Sequence, residues 1–141
     1  MTAGKEGGLR NDRERWAQER TVEMFDSSLD PIAARLASFS KYVRRQDLTA
    51  FLARYELFRR VVGIKGSVVD CGVFRGQGLM TWAKLSAILE PNNIMRRIYG
   101  FDTFDGFPEV GEKDSTPIRE TLPGELRSPS HDELLSLIEA Y

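Results

Sequence analysis

The sequence predicts an α/β domain of the doubly wound kind, with a parallel sheet flanked by helices and more helices ahead of it. Three observations carry this. The run "VVDCG" (68–72) is a short β-branched strand that ends in an acid and a glycine. Gly72, Gly76 and Gly78 punctuate the turn after it, and an apolar helical stretch follows. "RRIYGFD" then reads as a second strand ending at Asp102. Strand, glycine-rich turn, helix and strand make one βαβ unit, right-handed by strong precedent.

The elements follow in chain order. Residues 1–11 are rich in glycine and charge and are expected to be loose. A helix with a thin apolar face is predicted from Asp12 to Phe25, and "SSLDP" breaks it. A second short helix follows Pro31, with Ile32, Leu36 and Phe39 at helical spacing. "DLTAFLARYELFRRVVG" starts with a cap at Asp47 and stops at Gly63. Leu48, Phe51, Leu52, Tyr55, Phe58, Val61 and Val62 share its apolar face. "LMTWAKLSAILE" is apolar nearly all round, as expected of a helix buried against a sheet, and Pro91 follows its end. From Thr103 to Ser130, glycine, proline, serine and charges dominate, so a long functional or mobile loop is expected, poorly fixed from Val110 to Ser130. A last helix opens on a Ser130–Glu133 capping box and places Leu134, Leu137, Ile138 and Tyr141 on one face.

Only two strands are legible, both of the type buried on two faces, and parallel sheets need helices on both faces and usually more strands. The last helix has an apolar face and nothing after it to cover that face. The expectation is therefore a Rossmann-like fold cut after its first βαβ unit. Residues 1–46 would form a helical and flexible segment and 47–141 a partial cofactor-binding domain. Leu134, Leu137, Ile138 and Tyr141 would then be exposed or covered by another chain, and the chain would be poorly stable alone.

Bulk properties narrow the function. At 141 residues and 41% hydrophobic, the chain can bury a core. Twenty basic and 21 acidic residues balance to a net charge of -1, which argues against a dedicated nucleic-acid binder. The pairs Arg44-Arg45, Arg59-Arg60 and Arg96-Arg97 read as solvated ends of helices or strands. One cysteine, Cys71, excludes a disulfide within the chain, fits a reducing, cytoplasmic setting, and reads as a buried, inert thiol. The N-terminus lacks the apolar core of a secretory signal, and no apolar run reaches the length of a membrane span.

The glycine turn does not fit a dinucleotide fingerprint. Val73, Phe74 and Arg75 separate Gly72 from Gly76, and Phe74 stands where a glycine must let a pyrophosphate approach. The G-K-[ST] ending of a phosphate-binding loop is also missing. A cofactor without phosphates relaxes both demands. S-adenosylmethionine needs an acid near its ammonium, close backbone at the turn and a carboxylate for its ribose hydroxyls. Asp70, Gly72 and Asp102 supply these, with Asp102 lying 24 residues after Gly78, near the usual offset of a ribose-binding acid. The bland alternative is an ordinary strand-to-helix turn with solvated acids. His131, the lone histidine, reads as a surface residue rather than a general base, Asp102 and Asp105 are too few for a metal site, and Trp16 and Trp82 read as packing groups.

The two runs "DCGVFRG" and "GFDTFDGFP" resemble the macrocin O-methyltransferase family, S-adenosylmethionine-dependent enzymes that methylate sugar hydroxyls. The resemblance covers about Asp47 to Tyr141. It implies a class I methyltransferase fold, with cofactor contacts at Asp70, Gly72, Val73, Phe74, Arg75 and Gly76 in the first turn and at Asp102 and Thr103 after the second strand. It implies a small-molecule hydroxyl acceptor. It also implies a magnesium ion held by acids of the C-terminal half, which would be present only in a full-length form. No catalytic residue is assigned. Two further functions remain open at the level of sequence. One is a non-catalytic remnant or interaction subunit, in which the apolar face of the last helix leaves room for a homo-oligomer. The other is a small nucleotide binder of another class, against which Phe74 argues.

Overall fold

The computed structural model describes residues 11–114, 121–129 and 131–141. The chain divides into two compact units, one up to Ala50 and one from Phe51.

In the first unit, α1 (Asp12–Asp26) begins at an Asn11–Glu14 capping box, so Asn11 is a helix cap rather than part of a loose tail. Residues 1–10 lie outside the described part. The helix buries no residue, as its thin apolar face implies. After "SSLDP", α2 (Ile32–Ala37) and a 3₁₀ turn (Phe39–Lys41) follow. The rings of Phe25 and Tyr42 meet edge to face at 5.0 Å, with the Arg35 guanidinium 4.8 Å over Phe25. Helix α3 (Arg45–Val61) starts in this unit and continues into the second.

The second unit holds the βαβ element. Strands β1 (Val68–Cys71) and β2 (Ile98–Phe101) pair in parallel, in the register Val68–Ile98, Val69–Tyr99, Asp70–Gly100 and Cys71–Phe101. Between them runs α4 (Gln77–Leu89). Gly100 allows that helix to approach the sheet, since a Cβ there would come within 2.8 Å of Val73 and 3.1 Å of Leu79. Val73, Leu79 and Leu134 form the core, with Met80, Ile98 and Phe104 packed around them. Helix α5 (His131–Ala140) delivers Leu134 to it.

Several expectations are corrected. Leu134 is only 5% exposed, because its side chain packs against the glycine turn at Gly76. Leu137, Ile138 and Tyr141 are exposed as expected. Helix α4 is not buried nearly all round: Ile88 is 68% exposed, because the helix meets one two-stranded sheet on one side. The strands are covered on one face only. On the other face Val69, Cys71, Tyr99 and Phe101 stand exposed, so Cys71 is not a buried thiol. In the loop after β2, described residues on either side of 115–120 are joined by backbone bonds. The Phe107 N–H donates to the Glu125 carbonyl, the Gly124 N–H to that of Phe107 and the Ser128 N–H to that of Phe104. Residues 115–120 of this loop and the Ser130 capping box lie outside the described part.

Arg96 overturns its reading as a solvated charge. Its side chain is 3% exposed and Glu90's is 5% exposed. The guanidinium binds Glu90 through two nitrogens, at 2.5 and 2.7 Å, and donates to the carbonyls of Val61, Ile64 and Gly66. Val61 is the last residue of α3, and Ile64 and Gly66 lie in the segment that leads from it to β1. The guanidinium also lies 5.5 Å over the ring of Phe58, which is fully buried.

The bare sheet face has a direct consequence. Cys71 is expected to titrate fully with a thiol reagent in native buffer. A thiol that reacts only after denaturant is added would mean that this face is covered in solution.

Candidate functional site

Both strands end at the same edge of the sheet, and their carboxyl ends open into a cavity of about 250 Å³. Gly72 and Phe74 line it from the first turn, Phe101, Asp102, Thr103, Gly106 and Phe107 from the end of β2 and its loop, and Leu126 from the returning segment. A crevice at the carboxyl ends of parallel strands is where such sheets bind ligands.

Asp102 stands at the centre of this arrangement. Its Oδ2 accepts the N–H of Phe74 at 2.8 Å and its Oδ1 accepts that of Phe104 at 2.6 Å. One carboxylate thus joins the turn after β1 to the loop after β2. Thr103, beside it, donates its hydroxyl to the Gly106 carbonyl at 3.2 Å.

Three residues around the cavity hold left-handed backbone without being glycine: Phe74 (φ 52°), Phe104 (φ 58°) and Leu126 (φ 62°). For bulky side chains this conformation costs on the order of 1–3 kcal/mol each, and such strain concentrates at ligand sites. Gly106 shows how closely the segments meet. A Cβ there would lie 2.3 Å from the Glu125 carbonyl oxygen and 2.8 Å from the Arg127 nitrogen, and φ is 79°. Glycine is needed on both counts.

Of the eight residues expected to hold cofactor, the cavity gathers Gly72, Phe74, Asp102 and Thr103. The other four sit elsewhere. Asp70 turns under α4, where its Oδ1 accepts from Trp82 Nε1 at 3.4 Å and its Oδ2 lies against Gly78, with an Arg54 nitrogen crowding the same spot. Val73 is buried in the core. Arg75 lies 5.1 Å over the ring of Phe74 and faces a separate groove beside Glu133 and Leu137. Gly76 backs onto Leu134.

Phe101, Gly106, Phe107 and Leu126 were not singled out as site residues. The first three belong to the "GFDTFDGFP" run, so the signal was there. Nothing local points to Leu126, which reaches the cavity through the backbone bonds of Phe107 and Phe104 with 124–128.

Trp82 packs against Phe58, with ring centroids 6.3 Å apart, and is a packing group as expected. His131 is half exposed, with Nδ1 2.8 Å from Asp132 Oδ1 and its ring edge-on to Phe104 at 5.1 Å. Asp105 faces Arg127 at 3.7 Å. Among the described residues, no three acids, histidines or cysteines gather as a metal site, and no helix is long and apolar enough to cross a membrane.

No family model and no curated protein matches the chain. Among solved structures it is similar to CalS11, described as a calicheamicin methyltransferase. The identity is 28% and the TM-score 0.85, over 99% of this chain and 57% of that one. It is also similar to an apo structure of CalS11, described as a TDP-rhamnose 3′-O-methyltransferase of calicheamicin biosynthesis. There the identity is 29% and the TM-score 0.66, over 73% of this chain and 45% of that one. The chain therefore has a methyltransferase-like α/β fold and spans 57% of the length of the first of these neighbours.

Proposed function

We propose that the chain is the cofactor-holding part of an S-adenosylmethionine-dependent O-methyltransferase acting on a hydroxyl of a sugar or natural product. The observation that carries this is the aromatic cavity with the Asp102 carboxylate at the carboxyl ends of two parallel strands. The likeness to a sugar O-methyltransferase over almost the whole chain supports it, as does the resemblance to the macrocin O-methyltransferase family.

The cavity fits the adenosine end of that cofactor in size and chemistry. Its volume of about 250 Å³ lies just below the range of sites that enclose whole drug-sized ligands, so it suits part of the molecule. Three of its lining residues, Phe74, Phe101 and Phe107, are aromatic, and stacking of a base on an aromatic ring contributes roughly 1–3 kcal/mol. A carboxylate has about four acceptor positions, and the two amide bonds leave Asp102 room to accept ribose hydroxyls. Gly72 and Gly106 present backbone without side chains.

When bound, the cofactor supplies a methyl group on a sulfonium for in-line transfer to an oxygen. The chain's own work is to fix that group in place, the alignment part of catalysis. Such a transfer also needs a base for the acceptor hydroxyl. A second reading, as an interaction subunit in a reducing, cytoplasmic setting, draws on the exposed face of Val69, Cys71, Tyr99 and Phe101, and a homo-oligomer is its simplest form.

The site is testable by NMR. Adding S-adenosylhomocysteine should shift the amides of Gly72, Phe74, Asp102, Thr103 and Gly106 and leave α1 unmoved. Shifts confined to other parts of the chain would count against the assignment. With magnesium, cofactor and a sugar acceptor, the chain alone is expected to show no turnover. A rate on the order of 1 per second would assign it the complete reaction.

A further inference from the structure

The Asp102 carboxylate already has two partners without any ligand, and they come from different loops. Phe74 lies 28 residues before it and Phe104 two residues after it. Both donors belong to left-handed residues, at φ 52° and 58°, a conformation that phenylalanine rarely adopts. Something outside these two residues must hold them there. Charge-assisted acceptance by a carboxylate is stronger than a bond between neutral groups, and each oxygen takes one amide. The same two residues shape the site. Phe74 lines the cavity and carries Arg75 over its ring, and Phe104 packs on the core and anchors Ser128 through its carbonyl.

We infer that Asp102 is a positioning residue, a latch that sets the turn after β1 against the loop after β2 before any ligand arrives. The cavity is then preformed, and ribose hydroxyls would occupy acceptor positions that the latch leaves free. Only the ribose clause rests on the cofactor reading. The latch is a property of the chain itself.

Amide hydrogen exchange on the chain without ligand tests the latch. In the wild type, the Phe74 and Phe104 amides are expected to exchange at least about tenfold more slowly than unprotected amides. In Asp102→Asn, one oxygen becomes an amino group that faces an N–H. At least one of the two amides, the one left facing that group, should then exchange at least about tenfold faster than in the wild type, while the Val68 amide, bonded to the Arg97 carbonyl at 2.9 Å, keeps its rate. Equal rates in both proteins, with Val68 protected, would overturn the latch. Should Asp102→Asn not fold, the wild type decides alone: an unprotected Phe74 or Phe104 amide overturns it.

A ligand arm separates latch from ribose. Asp102→Ala should weaken an analogue lacking both ribose hydroxyls as well as S-adenosylhomocysteine, and the latter by more, since it also loses the acceptor proposed for its hydroxyls. A loss confined to the hydroxyl-bearing ligand contradicts the latch. If the wild type binds neither ligand, the cofactor reading fails and hydrogen exchange still settles the latch.

Discussion

Replacing Arg96 with methionine is expected to destabilise the second unit by about 3–5 kcal/mol, the usual effect of removing one partner from a buried ion pair. That is a large share of a small domain's stability of roughly 5–15 kcal/mol. Methionine fills similar space but leaves Glu90 as a buried anion, and the carbonyls of Val61, Ile64 and Gly66 lose the guanidinium as a donor, Val61 keeping the Ile64 N–H. Urea denaturation followed by circular dichroism measures the effect as a lower midpoint. An unchanged midpoint would place Arg96 in solvent.

Glu90 gives the same pair a pH signature. The Arg96 guanidinium, helped by the Gly63 N–H, holds its carboxyl below the ordinary value of 4.5, against the opposing effect of burial. A carboxyl with a depressed folded value stabilises above its unfolded value and loses that contribution as pH falls through the folded one. Wild-type stability should therefore fall on acidification below about pH 4.5, and Glu90→Gln should flatten that part of the curve while lowering the plateau.

The second large effect is on binding. Asp102→Ala should raise the dissociation constant for S-adenosylhomocysteine at least tenfold. Hydrogen bonds to a charged group contribute roughly 1.5–3 kcal/mol each, and about 1.4 kcal/mol is a factor of ten. The variant removes the acceptor proposed for the ribose and also frees the amides of Phe74 and Phe104. Titration followed by intrinsic fluorescence or calorimetry reads the change. An unchanged constant would remove Asp102 from the site.

Elements with a local cause were legible. The helix predicted from Asp47 to Gly63 is α3, Arg45–Val61, and the two predicted strands are β1 and β2 with slightly shorter bounds. Apolar spacing and strand-ending acids suffice for such features. Exposure was harder, because an apolar run says that a residue packs well and not that something is there to pack on it. Cys71 and Leu134 fail in opposite directions for this reason: one lies on an open sheet face, and the other enters the core beside Gly76. The burial of Arg96 is not legible because, besides Glu90, its partners are carbonyls 30 to 35 residues away, which carry no mark in the sequence. In the site, Phe74 was singled out for its bulk, and its left-handed backbone shows why that bulk is held at a cost. Asp102 was read as a ligand for a ribose, whereas its amide partners emerge only once both loops are in place.

Isothermal calorimetry of the chain with S-adenosylhomocysteine and, separately, NAD bears most directly on the central claim. Saturable binding of S-adenosylhomocysteine and none of NAD is expected, because Phe74 occupies the place where a pyrophosphate would need bare backbone. Tight binding of NAD with no response to S-adenosylhomocysteine would contradict it.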